Sequence, residues 1–258
     1  MLLQKYEYLT VSPGSREYRE YLALRHEVFC EELRRVPASG RRAAGLLVES
    51  DEYDVHSVHV LCRSKDTGAV VGCSRLILPG SNGLNVKARY RLSHDLTAVP
   101  AEVGEIGRLT LAHALRRYRS DNPLPEGKNR AARLTHAVER RDGPAVALGL
   151  YREIFRLAGA YGIAYCYAAM EPALARLLKR LGFPFHEAGP LNNDVRPARQ
   201  PYVIGAQATR SALAATNSWL YQFMFGAEDN IAVQTVGAWP SLVSMPAMRS
   251  QALCIAAA

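Results

Sequence analysis

Long apolar runs are missing from this sequence of 258 residues. No stretch approaches the roughly 18 consecutive apolar residues of a membrane-spanning helix. The first 21 residues include the acids Glu7, Glu17 and Glu20, where a secretory signal would have its apolar segment. We therefore expect a cytoplasmic protein, and the 48% apolar content permits a substantial buried core.

Cysteine is scarce and follows no pattern. The five cysteines never form C-x-x-C, which excludes a zinc knuckle and gives no sign of a disulfide framework. His56 and His59 lie three apart on a predicted strand, so they face opposite sides of it, and H-E-x-x-H spacing is absent. No metal site and no tightly bound cofactor are expected.

Positive charge, in contrast, is in excess, with a formal net charge of +8 and a pI near 9.4. Residues 112–141 contain eight Lys/Arg and three acids, a local balance of 8 − 3 = +5, so this segment is the predicted docking surface for an acidic partner. A basic nucleic-acid-binding protein is the non-enzyme alternative. The segment has a single aromatic residue, Tyr118, and no recognisable nucleic-acid motif, so we expect no nucleic acid partner. Peripheral contact with a membrane is left open.

Hydrophobic spacing predicts alternating helices and strands. The predicted elements are a helix over 15–34, a hairpin of HSVHVLCR and AVVGCSRLIL, a strand over 103–111, a helix opening at Gly143 and Pro144 with Asp142 as its cap, a strand over 163–170, a helix from Pro172 to Gly182, and strands in FPFHEAG and QPYVIGAQ. This order predicts an α/β (α+β) fold with a mixed, mostly antiparallel central sheet flanked by helices. Its parallel pair is expected where the chain crosses over through the helix at 144.

Three regions are predicted along the chain. Residues 1–207 form the main domain, and 208–229 form a C-terminal helix with Leu213, Leu220 and Met224 on its apolar side. Residues 230–258 are rich in Ala, Ser and Pro and almost uncharged, which predicts a flexible tail.

Buried charges mark the candidate site. Arg25 falls on the apolar stripe of the first helix, where an unpaired guanidinium would be costly, so a carboxylate partner is expected. The other charged residues in apolar or strand surroundings are Glu49, Asp51, Asp54, Arg75, Glu105 and Arg108. We expect all seven to form one network.

Gly107 changes the geometry expected for the strand EIGRL. In a regular strand Glu105 and Arg108 would point to opposite faces. A glycine inside a strand often marks a bulge, which would bring both side chains to one site and splay the sheet. The backbone N–H groups left unpaired could then hold a thioester carbonyl as its oxygen gains charge. A structural salt bridge at a strand end is the alternative.

The candidate site residues lie in four short motifs: L-R-x-x-V-F-C-E-E-L from Leu24 to Leu33, E-x-D-x-Y-D from Glu49 to Asp54, V-G-x-S-R-L from Val71 to Leu76 and E-I-x-R-L from Glu105 to Leu109. Together these motifs resemble the acyl-homoserine-lactone synthase superfamily. MEPALARLLKRLGFPF, the pair Gly189 and Pro190, and R-Q-P-Y at 199–202 resemble acyltransferases associated with PEP-CTERM/exosortase systems, akin to N-acyl amino acid synthases.

The resemblance implies a GNAT-like acyltransferase fold, an acyl-phosphopantetheine thioester as donor and an amino group as acceptor. Acyl carrier protein is preferred to coenzyme A as the carrier, and the acceptor is an amino acid or a similar amine. The positions that it assigns to the site are Arg25, Phe29, Glu49, Asp51, Asp54, Arg75, Glu105 and Arg108.

A signal synthase that uses S-adenosylmethionine is the alternative enzyme. Those synthases usually carry a Trp shortly after the Phe, toward the adenosyl substrate, where this chain has Arg34, Arg35 and Val36. That departure weighs against S-adenosylmethionine. The family pattern is also usually E-I-S-R, whereas position 107 here is Gly.

The acyl transfer needs a base, because an ammonium must lose its proton before it attacks a thioester. Glu105 is the predicted base, with Arg75 and Arg108 in the catalytic set. Asp51 and Asp54 are predicted to hold the acceptor ammonium or to orient Arg25 and Arg75, which could grip an acceptor carboxylate. No G-x-S-x-G elbow occurs and Cys166 lies in an apolar run, so direct attack is expected.

A phosphate-binding loop is the last prediction. GNAT enzymes commonly hold a pyrophosphate in an R/Q-x-x-G-x-G/A loop at a helix N-terminus, and Arg140, Gly143 and Ala145 fit that pattern. Together with Arg133 they are the candidate phosphopantetheine site, and a plain N-terminal cap is the alternative.

Overall fold

A computed structural model describes residues 2–93, 102–116, 130–226 and 235–236, with side chains for 4–93, 102–116 and 142–226. The α-helices are α1 Arg16–Arg25, α2 Asn85–Arg89, α3 Arg130–Ala160, α4 Pro172–Arg180, α5 Ala206–Thr216 and α6 Ser218–Phe225. The strands are β1 Tyr6–Val11, β2 Arg42–Ala43, β3 Leu46–Leu47, β4 Ser57–Ser64, β5 Val70–Ile77, β6 Val103–Leu111, β7 Tyr165–Met170, β8 His186–Glu187, β9 Gln200–Gly205 and β10 Thr235–Val236. A π-helical segment, His26–Glu32, continues α1.

One sheet of eight strands runs in the order β10-β1-β4-β5-β6-β7-β9-β8. The β4–β5 hairpin and the β1–β4, β5–β6, β7–β9 and β8–β9 pairs are antiparallel. The β6–β7 pair is parallel, and α3 makes the crossover between its strands. The predicted mixed, mostly antiparallel sheet is therefore confirmed, and so is the position of its parallel crossover.

Helices cover both faces of the sheet, because the strand residues alternate between two apolar cores. Leu76 and Ile106 face α3, whose stripe of Val146, Leu150 and Ile154 is fully buried, as its spacing predicts. Residues of the opposite face pack against α1 in one cluster and beside α2 in another. Every candidate carboxylate projects from this α1 face or from the loop that leads to it.

The start of α3 differs from the prediction. The helix begins at Arg130, so Asp142 is not its cap and Pro144 lies inside it rather than at its first position. Gly143 serves close packing: a Cβ there would collide with the carbonyl oxygen of Leu115. The apolar spacing predicts the buried face of the helix correctly, but Gly143 and Pro144, a pair that usually marks a helix boundary, lie within α3.

The C-terminal region also differs in detail. The predicted helix at 208–229 is two helices, because Asn217 interrupts it and caps α6 by accepting from the Leu220 N–H at 3.1 Å. Leu213, Leu220 and Met224 belong to the α3 core, so this region is part of the main domain's packing. Within the predicted tail the structure describes β10 alone, which pairs in parallel with β1. Among the described helices, none has the length and apolarity needed to cross a membrane.

Candidate active site

Six of the seven charged residues expected to share a network meet under α1, and Glu105 is the exception. Arg25 donates from Nε to Glu49 at 2.5 Å and from Nη1 to Asp54 at 2.6 Å. Arg75 donates to Asp54 at 2.6 Å and to both oxygens of Asp51 at 2.6 and 2.7 Å. The network thus ties α1 to β5 through the loop that carries the three carboxylates.

Arg108 completes this network from β6. Its guanidinium donates to Glu49 at 2.9 Å and to Asp51 at 2.9 Å, and it lies 5.4 Å from the ring centre of Phe29. Arg108 can reach these partners because β6 has the predicted bulge. Cys73 pairs with Thr110 while Arg75 pairs with Gly107, which leaves an extra residue in β6.

The strained residue of the bulge is not the one expected. Arg108 has a φ of +51°, whereas Gly107 keeps an ordinary conformation. The strand therefore places a residue with a Cβ in the left-handed region, which costs about 1–3 kcal/mol and is maintained by its surroundings. Here the ion pairs of Arg108 with Glu49 and Asp51 supply that restraint.

Three guanidiniums and three carboxylates balance the charge of this network. Burial alone would raise the pKa of Glu49, but the charge of Arg25 and hydrogen bonds from Arg108 and Arg25 lower it to about 2. The pKa of Asp54 is lowered in the same way by Arg25 and Arg75, against the effect of burial. Glu49 and Asp54 are therefore paired anions of the folded frame.

Two arginines of the predicted substrate site are too deeply buried to contact a substrate. The side chains of Arg25 and Arg75 are 0% exposed, so they cannot grip an acceptor carboxylate as the sequence suggested. Glu49 and Asp54 are buried as well. Asp54 accepts from both Arg25 and Arg75, and Asp51 accepts from Arg75. A role of either carboxylate in holding the acceptor ammonium stays a prediction.

Glu105 lies beside this network and has partners of its own. Its carboxylate accepts from the Val86 N–H at 2.7 Å and from Asn85 Nδ2 at 3.1 Å, so it caps the first turn of α2. Burial raises the pKa of Glu105, and the two hydrogen bonds and the charges of Arg75 and Arg108 offset this only in part. Nothing in the sequence signalled the contact with α2.

The predicted gap in the sheet opens next to Glu105. The parallel ladder of β6 and β7 runs from Val103 and Tyr165 to Glu105 and Tyr167, and no pair between these strands follows it among the described residues. A pocket of about 290 Å³ occupies the gap. Its lining from the two strands is Glu105, Ile106, Gly107, Arg108, Leu109, Thr110, Ala168, Ala169 and Met170.

Side chains from both layers of helices complete the pocket. Phe29 and Arg35 enter from the π-helical segment and the turn after it, and Tyr151 enters from α3. The pocket therefore passes between the strands from one face of the sheet to the other. Of the residues that the sequence singled out, Phe29, Glu105, Gly107 and Arg108 line the pocket.

Sequence reasoning missed a group of cations in this pocket. Arg35, Arg89 and Arg199 all line it, together with Glu171 and Tyr90. Arg35 Nη2 lies 3.2 Å from Glu171 Oε1. Burial lowers the pKa of Arg35, and the nearby charge of Arg199 lowers it further. A usable signal did exist: Arg35 belongs to residues 34–36, the region in which the sequence departs from the resembled synthases, and Arg199 opens the R-Q-P-Y segment.

The predicted phosphopantetheine loop does not form as expected. Arg133, Arg140, Gly143 and Ala145 lie inside α3 rather than in a loop at a helix N-terminus. Of the predicted docking segment 112–141, residues 117–129 lie outside the described part of the chain, and the structure describes no side chains for 130–141. A role of these residues in carrier binding stays a prediction.

Cys166 occupies the core position expected from its apolar surroundings. It is buried in β7, and burial raises the pKa of its thiol to about 12. A thiol with that pKa is a poor nucleophile near neutral pH, because the thiolate is the reactive form.

Comparison with known proteins gives the class of enzyme. Residues 24–124 match the family model of the acetyltransferase (GNAT) domain. The acyl-homoserine-lactone synthase of Vibrio anguillarum is 25% identical over 189 residues, which are 73% of this chain and 85% of that protein.

Solved structures show the same fold. TofI, in a ternary complex with an inhibitor and MTA, has a TM-score of 0.56 at 19% identity, over 82% of this chain and 95% of TofI. The CoA-dependent acyl-homoserine lactone synthase BjaI, with SAM and isopentyl-CoA, has a TM-score of 0.51 at 20% identity, over 82% of this chain and 88% of BjaI. The predicted GNAT-like fold is confirmed, and with it the predicted class: the chain is an acyltransferase.

Proposed function

We propose that the chain transfers a fatty acyl group from the thioester of an acyl carrier protein to the amino group of a small acceptor. The observation that carries this proposal is the position of Glu105 in the pocket between the diverging strands β6 and β7. Strand edges without a partner present backbone N–H groups that can stabilise charge on a thioester oxygen. The raised pKa of Glu105 suits a general base.

The chemical step needs no covalent enzyme intermediate. The acceptor ammonium gives a proton to Glu105, directly or through water, and the free amine attacks the thioester carbon. A C–N bond forms and the C–S bond breaks. The attacking nitrogen loses its second proton, and the thiolate takes up one proton and leaves as the free thiol. The buried ion-pair network orients Arg108 at the rim of the pocket, next to the reacting atoms.

The curated relatives favour S-adenosylmethionine as the acceptor, since they are acyl-homoserine-lactone synthases. In that reaction the acylated product closes a lactone: its carboxylate oxygen attacks the carbon bound to the sulfonium, and methylthioadenosine leaves. The chain would then make a signal of the acyl-homoserine-lactone type.

An amino acid is the second candidate, and the charge of the pocket favours it. Arg35, Arg89 and Arg199 outnumber the nearby Glu171, which is unfavourable for a sulfonium cation. In this version the product is an N-acyl amino acid that keeps its carboxylate.

The two candidates differ in their products. Purified protein is incubated with acylated carrier protein of several chain lengths and, separately, with acyl-CoA; either S-adenosylmethionine or a mixture of amino acids is added. Thiol release measures turnover, and mass spectrometry identifies the product. An acyl-homoserine lactone with methylthioadenosine supports the first candidate and an N-acyl amino acid the second. Absence of any amide product with every donor would refute the proposed function.

The same experiment determines whether the acyl donor is acyl carrier protein or coenzyme A. Acyl carrier protein remains our proposal, and a higher kcat/KM with acyl-CoA would replace it. Association with a PEP-CTERM/exosortase system and a cytoplasmic location also remain predictions from the sequence.

A further inference from the structure

The net charge of the pocket is determined by residues outside the buried ion-pair network. Its three guanidiniums are balanced by three carboxylates, as described above, so it adds little net charge to the cavity. The carboxylate of Glu105 is already bound by the Val86 N–H and by Asn85 at the start of α2. The field in the pocket is therefore set mainly by Arg35, Arg89, Arg199 and Glu171.

Backbone contacts hold these arginines in place. The Arg35 N–H donates to the Phe29 carbonyl at 2.8 Å, which fixes the turn after the π-helical segment. Asn192 pairs with Arg199 through two backbone hydrogen bonds of 2.8 and 3.2 Å, and its Nδ2 donates to the Arg89 carbonyl at 3.2 Å. The start of β9 and the end of α2 are thus linked, so Arg89 and Arg199 come from anchored segments rather than from free loops.

Among the described residues, carboxylates neutralise these cations only in part. Within the described part of the chain, Glu171 is the carboxylate bound to Arg35, and no ion pair is formed by the guanidinium of Arg89 or Arg199. Arg35 and Arg199 are half-buried cations of like charge that both line the pocket, so binding of an anion beside them is electrostatically favourable. An anionic ligand therefore fits this side of the pocket.

The face of the sheet on which the arginines lie indicates whether the bound anion belongs to the acceptor or to the acyl donor. Glu105 pairs with Ile77 and Tyr167, so these three side chains share the α1 and α2 face, opposite α3. Phe29, which leads to Arg35, and α2, which ends at Arg89, lie on that same face. The amine that Glu105 deprotonates must approach from there, and an anion beside it belongs to the acceptor rather than to the acyl chain.

We propose that Arg35 and Arg199, with Arg89 at the outer rim, form a binding site for the carboxylate of the acceptor. The acceptor is thus recognised as an α-amino acid by two features, its carboxylate at the arginines and its amine at Glu105. The inference rests on the proposed acyl transfer to an amine, and it adds the residues that select among amines.

Pairs of ligands that differ only in the carboxylate test this site. The kcat/KM of the wild-type enzyme is measured for amino acids and for their C-terminal amides, and then for Arg35→Gln and Arg199→Gln. We expect each variant to reduce the preference for the acid over the amide by about 10- to 100-fold, the loss of one charge-assisted hydrogen bond. Arg199→Lys should restore part of the preference. Arg180→Gln, an exposed residue of α4, is the matched control for charge and should change nothing.

A binding measurement separates this inference from the proposed function. N-octanoyl amino acids and their amides are titrated into the protein calorimetrically, which requires no turnover. Tighter binding of the acids, lost in Arg35→Gln and Arg199→Gln, supports the carboxylate site even if no amine is acylated. Equal affinity for acid and amide in the wild type would overturn it. It would also be overturned if the variants raised the KM for the acyl donor alone, because the cations would then bind the donor's phosphate.

Discussion

Arg25 and Arg75 each donate a hydrogen bond of 2.6 Å to the same carboxylate oxygen of Asp54. The two guanidiniums come from α1 and from β5, and both are fully buried. One oxygen thus offsets the repulsion between two buried cations. Removal of that anion leaves both charges without their common partner, which is far more costly than the loss of an exposed ion pair.

Asp54→Asn is expected to lower the free energy of unfolding by about 3–5 kcal/mol, the usual cost of breaking a buried pair from one side. Chemical denaturation followed by circular dichroism measures the change. Asp66→Asn, at an exposed turn, is the matched control and should stay within about 0.5 kcal/mol of the wild type. Equal denaturation midpoints for the two variants would show that the network does not stabilise the fold.

Stability should fall in acid because of Glu49. Its pKa is lowered from 4.5 to about 2 in the folded state, so its contribution is complete above pH 4.5 and is lost as the pH falls toward 2. Thermal unfolding of the wild type and of Glu49→Gln across this pH range tests whether stability falls as the pH falls. We expect Glu49→Gln to be less stable than the wild type near neutral pH but to lose less stability as the pH falls. If the stability of both proteins fell in parallel with pH, this account would be contradicted.

Glu105→Gln should reduce kcat by about 10²- to 10⁴-fold, the usual contribution of a general base. The fold should persist because glutamine keeps a carbonyl oxygen for the Val86 N–H. Since burial raises the pKa of Glu105, the rise of kcat/KM with pH in the wild type should lie above the ordinary value of 4.5. The variant should lack that rise. A fully active variant would leave Glu105 as a cap of α2 and no more.

Two glycines of α3 form a matched pair. Gly143→Ala is expected to destabilise the protein by about 1–3 kcal/mol, because the added methyl meets the Leu115 carbonyl. Gly159→Ala meets nothing within 4 Å and should stabilise the helix by up to about 1 kcal/mol. If Gly143→Ala instead raised the KM for the acyl donor without loss of stability, the phosphate-loop interpretation of this glycine would be right after all.

Much of the fold was predictable because its signals are local. The strand pairs β4–β5 and β6–β7 follow from alternating or continuous apolar runs, and the α3 stripe follows from helical spacing. Gly182, with a φ of +103°, ends α4 as its position predicted. The boundaries at Gly143 and Asn217 failed for a different reason: tertiary packing decides there whether a helix continues, and a single sequence does not report it.

The site was predictable only in part. Charged residues on apolar faces had to pair, so the convergence of Arg25, Arg75 and Arg108 on three carboxylates could be inferred. Glu105 was placed in the same network, yet it bonds to α2, and that contact depends on a loop path which no periodicity encodes. Of the cations that line the pocket, the sequence indicated Arg35 only as part of a departure from a family pattern and Arg199 only as part of R-Q-P-Y, and it did not indicate Arg89.

The balanced charge of the buried network separates two tasks within one small volume. Arg25, Arg75 and Asp54 serve the fold and are closed to solvent, whereas Arg35 and Arg199 reach the cavity and contribute little to the core. Exchanges at the rim could therefore redirect the enzyme to a different amine while the scaffold stays intact. Substitutions in the buried ion pairs would instead unfold the protein, so they could not give rise to a new specificity.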